Sequence, residues 1–369
     1  LASIKLEKSA LELSGSKKRL YCPKPHNLNS MKTKPLIIPL FIPQEGCPHR
    51  CVYCDQVTIS GVSRFSWSPG LVRKHIQSYL GESSRYPVQV AFYGGTFTLL
   101  SEARQRVFLE AAQEFIEQGR VHSLRLSTRP DAIETNNLSF LHSMRVHTIE
   151  LGAQSLSDKV LAATARGHSA GQVYEAKLEL HKLGFEVGLQ LMPGLPGDCW
   201  ETFSNTVEKS IALRPNFVRL YPTVVLANTP LERLYSRGLF KPLSLDEAVE
   251  WCKKAQESFS HASIPVIRTG LQPTISLQQP GRIVSGPYHP AFGQLVRSAI
   301  WNERISSALK KARCQSSRLL IHAPSHHLPD IRGHKNENIH RWLKELDLIS
   351  LKTVACPWTR EGMFRVTAE

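Results

Sequence analysis

The sequence predicts a parallel α/β fold of βα repeats with a small C-terminal α/β appendage. Three observations carry that expectation. Between residues 36 and 222, six short apolar, β-branched runs alternate with amphipathic stretches of helical length. Strands separated by helices are the signature of βα units around a parallel sheet. Each run also ends in polar or glycine-rich sequence ("PQEGCPHRC", "YGGTFT", "STRPD", "GAQS", "MPGLPGD", "YPTVV"), and the carboxyl edge of a parallel sheet is where such folds bind ligands.

Taken in order, "LIIPLFI" (36–42) reads as the first strand, and a cysteine-rich loop follows it. "GLVRKHIQSYLG" reads as a helix and "VQVAFYGG" as a strand. "SEARQRVFLEAAQEFIEQG" is a helix with Ser101 as N-cap and Gly119 as its stop. Strand "HSLRLST", a short helix around "LSFLHSM", strand "HTIELGA" and helix "SAGQVYEAKLELHKLG" come next, then strand "EVGLQLM", helix "CWETFSNTVEKSIAL" and strand "NFVRLYP". Beyond 222 the alternation loosens. "SLDEAVEWCKKAQESFSHA" is a helix opened by Ser244 and an acidic first turn, and "IPVIRTGLQ" could add a strand. After a Pro/Gly-rich stretch from about 276, helix "QLVRSAIWNERISSALKKA", strand "RLLIHAP", helix "NENIHRWLKELD" and a last strand near "LISLKTVA" make a small appendage. The expected division is an N-terminal extension (1–35), a core (36–275) and an accessory α/β region (276–369).

Composition narrows the function. The eight cysteines form no evenly spaced framework, and five are scattered singly, which suits a reducing, cytoplasmic setting. No apolar run reaches the ~18 residues of a membrane span, so no membrane partner is expected. The formal net charge is +15. The first 35 residues carry eight Lys and Arg against Glu7 and Glu12, an arm that can track phosphates, unless it is a solvated or non-native tail. From Gly293 onward there are 13 basic against 7 acidic residues. The charge keeps nucleic acid in view as a partner.

Cys47, Cys51 and Cys54 lie in "EGCPHRCVYCDQ" at C-x3-C-x2-C spacing. Three thiolates so close can reach three corners of a metal centre. Four readings are open: a zinc site completed by His49 or Cys22, a redox pair of Cys51 and Cys54, incidental buried cysteines, and an iron–sulfur cluster with three protein ligands and one open iron.

With Tyr53 before the last cysteine, and placed after the first strand of a βα series, the motif resembles the radical S-adenosylmethionine (radical SAM) superfamily. The resemblance implies an open, partial (β/α)6 TIM-type barrel in which Cys47, Cys51 and Cys54 bind a [4Fe-4S] cluster. It also implies an open iron chelated by SAM, and an electron from the cluster, supplied by a flavodoxin or ferredoxin, that cleaves SAM to a 5′-deoxyadenosyl radical. "FYGGTFT" resembles the family's glycine pair, which puts Gly94, Gly95 and Thr96 beside SAM; glycine lets backbone approach a ligand closely. "STRPD" and "ELGAQS" resemble the ribose- and carboxylate-contacting strand ends, with Arg129 and Gln154, and "GLQLMPGLPGD" resembles the adenine segment. "ELGAQSLSDKVLAATARGHS", "LMPGLPGD" and "RLYPTVVLANTPLERLY" together resemble the core of the Elongator catalytic subunit and its bacterial relatives, which implies an RNA, specifically tRNA, substrate. Residues 276–369 carry no glycine-rich acetyl-CoA loop, so the resemblance is to the core alone. Tyr221 and His289 are candidates to face substrate; the plainer readings are a packed strand-end tyrosine and a loop histidine beside Pro290. A small metabolite or a protein side chain as substrate, a cluster-bearing scaffold without turnover, and a zinc-stapled nucleic-acid-binding protein are the rival functions.

Overall fold

A computed structural model describes residues 35–62, 67–81, 87–313, 315–359 and 362–369. The basic arm and Cys22 lie outside them. The described chain falls into two compact units, one ending at Ile300 and one running Trp301–Glu369.

The larger unit begins with β1 (Leu36–Phe41), α1 (Gln56–Ser60), α2 (Pro69–Tyr79), β2 (Val88–Tyr93), α3 (Glu102–Glu117), β3 (Ser123–Thr128), α4 (Thr135–Ser143) and β4 (Val146–Gln154). It continues through α5 (Asp158–Ala163), α6 (Ala170–Lys182), β5 (Glu186–Leu191), α7 (Trp200–Ala212), β6 (Phe217–Leu220), β7 (Val225–Leu226) and α8 (Pro230–Ser236). It closes with α9 (Leu245–His261), β8 (Val266–Thr269), β9 (Ile283–Ser285) and the start of α10 (Phe292–Arg313). Seven strands form one sheet in the order β1-β2-β3-β4-β5-β6-β8, every neighbouring pair parallel. The six expected strands are present and Val266–Thr269 is a seventh, at the edge. Together they curl into the expected partial TIM-type barrel.

Alternation within the strands assigns the two faces. Ile38, Leu40 and Ile42, then Val90 and Phe92, Leu124 and Leu126, Ile149 and Leu151, Val187 and Leu189, and Val218 and Leu220 are buried on the helix-covered side. There Phe92 meets Phe97 and Phe108 at centroid distances of 5.2 and 5.5 Å. The alternate positions include Gln89, Tyr93, Arg125, Glu150 and Arg219, so the inner wall of the curl is polar. Ser101, Ser169 and Ser244 cap α3, α6 and α9, the last two through full capping boxes. α9 packs on α7 through Trp251, whose ring stacks on Phe203 at 5.7 Å.

The smaller unit holds the rest of α10, then β10 (Arg318–Ala323), α11 (Leu328–Arg332), α12 (Glu337–Glu345), β11 (Ser350–Ala355) and β12 (Arg365–Ala368). β10 is central, parallel to β11 and antiparallel to β12. Its own core gathers Trp301, Ile305, Leu319, Ile321, Trp342, Phe364 and Val366. The buried indole of Trp342 donates to Ser306 Oγ at 2.9 Å. No helix among the described residues is long and apolar enough to cross a membrane.

Candidate active site at the carboxyl edge of the sheet

The cysteine loop leaves the end of β1 and folds onto the turn after β2. Ile42 N donates to Tyr93 O at 2.7 Å, and Thr96 N to Glu45 O at 2.8 Å. Two glycines permit this closeness: a Cβ on Gly95 would stand 2.1 Å from Glu45 O, and one on Gly46 would stand 2.4 Å from Thr96 O. Glu45, nearly buried, is clamped by Arg104 of α3 through two bonds of 3.0 and 3.1 Å. Arg104 in turn donates to Trp67 O at 2.8 Å, so the outer helix tethers the loop.

All three thiols are free of disulfides. Cys47 Sγ lies 3.3 Å from Thr96 Oγ1, and Arg166 donates to Cys51 Sγ at 3.4 Å. Burial, then the neighbouring charges of Cys51 and Cys47, push the Cys54 thiol up to about 12. Three thiolates in one loop would repel one another unless a cationic centre joined them. Among the described residues no three His, Cys, Asp or Glu side chains close round a single-ion position. His49, offered as a fourth zinc ligand, lays its ring against Gly167. An apolar wall of Tyr53, Val160, Leu195, Val225 and Leu231 packs with Cys51 and keeps water from this side.

Beside the cysteines, buried polar atoms lack partners. They include Tyr53 OH, Arg129 NH1 and Gln154 Oε1. Burial raises the Tyr53 phenol well above its ordinary range against the opposing charge of Arg166. Arg129, its side chain 3% exposed, gives Nε and NH2 to Asp131 at 2.9 and 2.8 Å, which leaves NH1 over. Although burial opposes it, that pairing holds Asp131 below the usual carboxylate range. Gln154 sits at φ +67°, left-handed for a residue with a side chain, where the β4–β5 register slips between Leu151 and Gln154. In the β5 loop, Gly194 N donates to Asp198 Oδ2 at 3.0 Å; burial lifts that carboxyl to about 7.

Arg166 is the side chain that sequence reading missed. It lies between α5 and α6, 7% exposed, and reaches Cys51 Sγ, Gly152 O (2.7 Å) and His168 Nε2 (3.2 Å) at once. Gly152 makes room for it, since a Cβ there would stand 2.9 Å from Arg166 NH2. Burial and then the Arg166 charge push His168 down to about 4. The available signal was a charged "ARGH" next to a loop that carries ligand-type residues.

Below this layer the inner wall carries a buried network that was also not foreseen. Glu150 accepts from Arg125 at 2.8 Å, Arg219 at 3.0 Å and Tyr93 OH at 3.1 Å. Arg219 also donates to Tyr93 OH at 2.6 Å and to Tyr221 OH at 3.2 Å. Phe217, pressed into the space that Gly188 leaves, supports Arg125 from 4.8 Å. Tyr221 therefore joins the inner network. His289 sits at the start of α10, where its Nδ1 accepts from Ala291 N at 3.0 Å and its carbonyl from Phe292 N at 3.0 Å.

The profile of the radical SAM superfamily matches residues 41–209, and that of the radical SAM C-terminal domain matches 215–302. The chain belongs to the radical SAM superfamily. Enzymes of that superfamily use a [4Fe-4S] cluster and SAM. Among curated relatives, the tRNA uridine(34) acetyltransferase of Methanocaldococcus infernus is 28% identical over 55% of this chain and 46% of its own length. Human Elongator complex protein 3 is 26% identical over 60% of this chain and 50% of its own. The heme chaperone HemW of Lactococcus lactis is 28% identical over 54% and 53%. The chain spans about half the length of these relatives. The structure of M. infernus Elp3 with an N-terminal deletion shares the fold, with a TM-score of 0.58 and 23% identity over 73% of this chain and 63% of that one.

Proposed function

We propose that this protein is a radical SAM enzyme whose Cys47, Cys51 and Cys54 hold a [4Fe-4S] cluster, and whose substrate is an RNA, tRNA in particular. The observation that carries the reading is the coincidence, at one strand edge, of three free thiols in one loop with the partnerless buried atoms of Tyr53, Arg129 and Gln154. Buried polar atoms without partners are costly, and a polar ligand would satisfy them. The cluster, when bound, supplies the electron that cleaves the SAM sulfonium. Around it the chain orients and excludes. Gly94, Gly95 and Thr96 offer backbone at close range, Tyr53 and the apolar wall keep water out, and Arg129 and Gln154 present a donor and an acceptor for polar groups of SAM. Arg166 keeps a positive charge against Cys51, suited to a sulfur of net-negative character and to a carboxylate beside it.

The RNA assignment is supported by the net charge and by the relative from M. infernus that is named a tRNA uridine(34) acetyltransferase. A small tetrapyrrole-like ligand is the second reading, favoured by the heme chaperone relative. The test is anaerobic reconstitution with iron and sulfide, reduction with dithionite in the presence of SAM, and chromatography for 5′-deoxyadenosine, with Cys51→Ala as control and tRNA or haem added in separate arms. Production by wild type, abolished in C51A and stimulated by tRNA, is the expected result. A colourless protein holding zinc that assembles no cluster overturns the radical reading; stimulation by haem instead of tRNA overturns the RNA assignment.

A further inference from the structure

We propose that the corner between β6 and β8 is a subsite for an oxyanion of the substrate, a phosphate or carboxylate, held by Arg268 and Arg219 beside the N-terminus of α10. That the anion belongs to a substrate rests on the radical SAM reading of the same site. Arg219 and Arg268 are register partners on neighbouring parallel strands. The next pair, Leu220 and Thr269, faces the other way: Leu220 lies in the helix-covered core, and Thr269 Oγ1 accepts from Gln256 of α9 at 2.6 Å. Arg268 therefore shares the inner face with Arg219.

The two guanidiniums differ in what they have left to offer. Arg219 is engaged by Tyr93, Glu150 and Tyr221, yet its buried Nε has no partner. Arg268 donates Nε to Gly270 O at 3.3 Å, and its two terminal nitrogens have no partner among the described residues. The carboxylate that faces this wall, Glu150, is already shared by Arg125 and Arg219. Three guanidiniums against one carboxylate leave positive charge on a partly desolvated surface, which is costly until an anion arrives. A free pair of terminal guanidinium nitrogens matches the two oxygens of a carboxylate or phosphate.

A second cationic feature lies at the same corner. Gly270 (φ +84°) abuts Phe292, since a Cβ on it would stand 2.7 Å from the Phe292 Cβ; one on Gly293 would stand 3.0 Å from Thr269 O. The 22-residue α10 thus begins against the end of β8, and the positive end of its dipole is added to the arginine pair. Tyr221, bonded to Arg219, supplies a hydroxyl beside the anion position.

The test is thermal unfolding of the full chain against inorganic phosphate or acetate at constant ionic strength. Wild type is expected to show a saturable rise in Tm. Arg268→Gln weakens the apparent affinity roughly tenfold to a hundredfold, Arg268→Lys recovers part of it, and Arg106→Gln, on an exposed pair of α3, leaves it intact. Circular dichroism checks that each variant folds. Phosphate tighter than acetate identifies a phosphate-bearing substrate, and the reverse order a carboxylate. A response that fails to saturate, or one equally strong in R268Q, is general salting or binding elsewhere and overturns the subsite. 5′-Deoxyadenosine assayed on the same preparations separates the two ideas. SAM cleavage without an Arg268-dependent anion effect removes the subsite alone, whereas an Arg268-dependent effect without cleavage leaves the subsite and removes the radical reading.

Discussion

Gly95 and Glu150 show how single residues set the limits of this site. Gly95 presses its α-carbon against the backbone of the cysteine loop, and a methyl there would meet Glu45 O at 2.1 Å. Backbone cannot rotate out of the way as a side chain can. Gly95→Ala is therefore expected to cost roughly 1–3 kcal/mol in urea unfolding and to lower the iron bound per chain after reconstitution; full stability and iron loading would show that the loop does not rest on this turn. Glu150 is 2% exposed and faces two guanidiniums. Removing its charge leaves both buried without a counter-ion, so Glu150→Gln is expected to lose about 3–5 kcal/mol, again by urea unfolding; a loss below about 1 kcal/mol would mean that water already screens the inner wall. The cysteines and the glycine pair were legible as candidates because each motif is contiguous. Glu45, Arg166 and Arg219 were not, because their partners are remote in the chain: Arg104, Cys51 and Glu150.

At the scale of elements, alternation and caps carried most of the information. The strands of the sheet have one apolar face, and Ser101 and Ser244 announce two helices. Short pieces were not legible: α5, α8 and the two-stranded β7–β9 ribbon are held by tertiary contacts and lack the length for a periodic signal. The β5–α7 loop adds a pH prediction. Burial lifts the Asp198 carboxyl to about 7, well above its unfolded value of ~3.9. The native state then holds a proton that the unfolded chain releases, so this group's contribution is complete below about pH 4 and is lost as pH rises through about 7. Thermal melts should show wild type losing stability relative to Asp198→Asn between about pH 5 and 7, with a constant difference above that window. A difference independent of pH would place the carboxyl in water.

For the whole molecule, the formal charge of +15 governs encounter with partners. If tRNA is the substrate, binding should weaken steeply with salt. A protein making six to ten phosphate contacts loses about 10³–10⁵ in affinity between about 50 and 200 mM. Filter binding or fluorescence anisotropy across a salt series checks this, and a flat response would remove phosphate contacts from the account. SAM binding in the enclosed strand edge should change little over the same series.

By itself the sequence determined the parallel βα architecture, the superfamily and the three thiols. Period-two strands, helix caps and an eight-residue cysteine motif are local signals that survive in one dimension. Only the tertiary structure decided which side chains surround those thiols and what lines the interior behind them. Arg166 reaches Cys51 because the loop between α5 and α6 docks on the cysteine loop, where Val52 N donates to Thr164 O, and Arg219 becomes the neighbour of Arg268 because β6 and β8 pair in parallel across intervening helices. Those pairings depend on register and closure, which no local pattern of residues encodes.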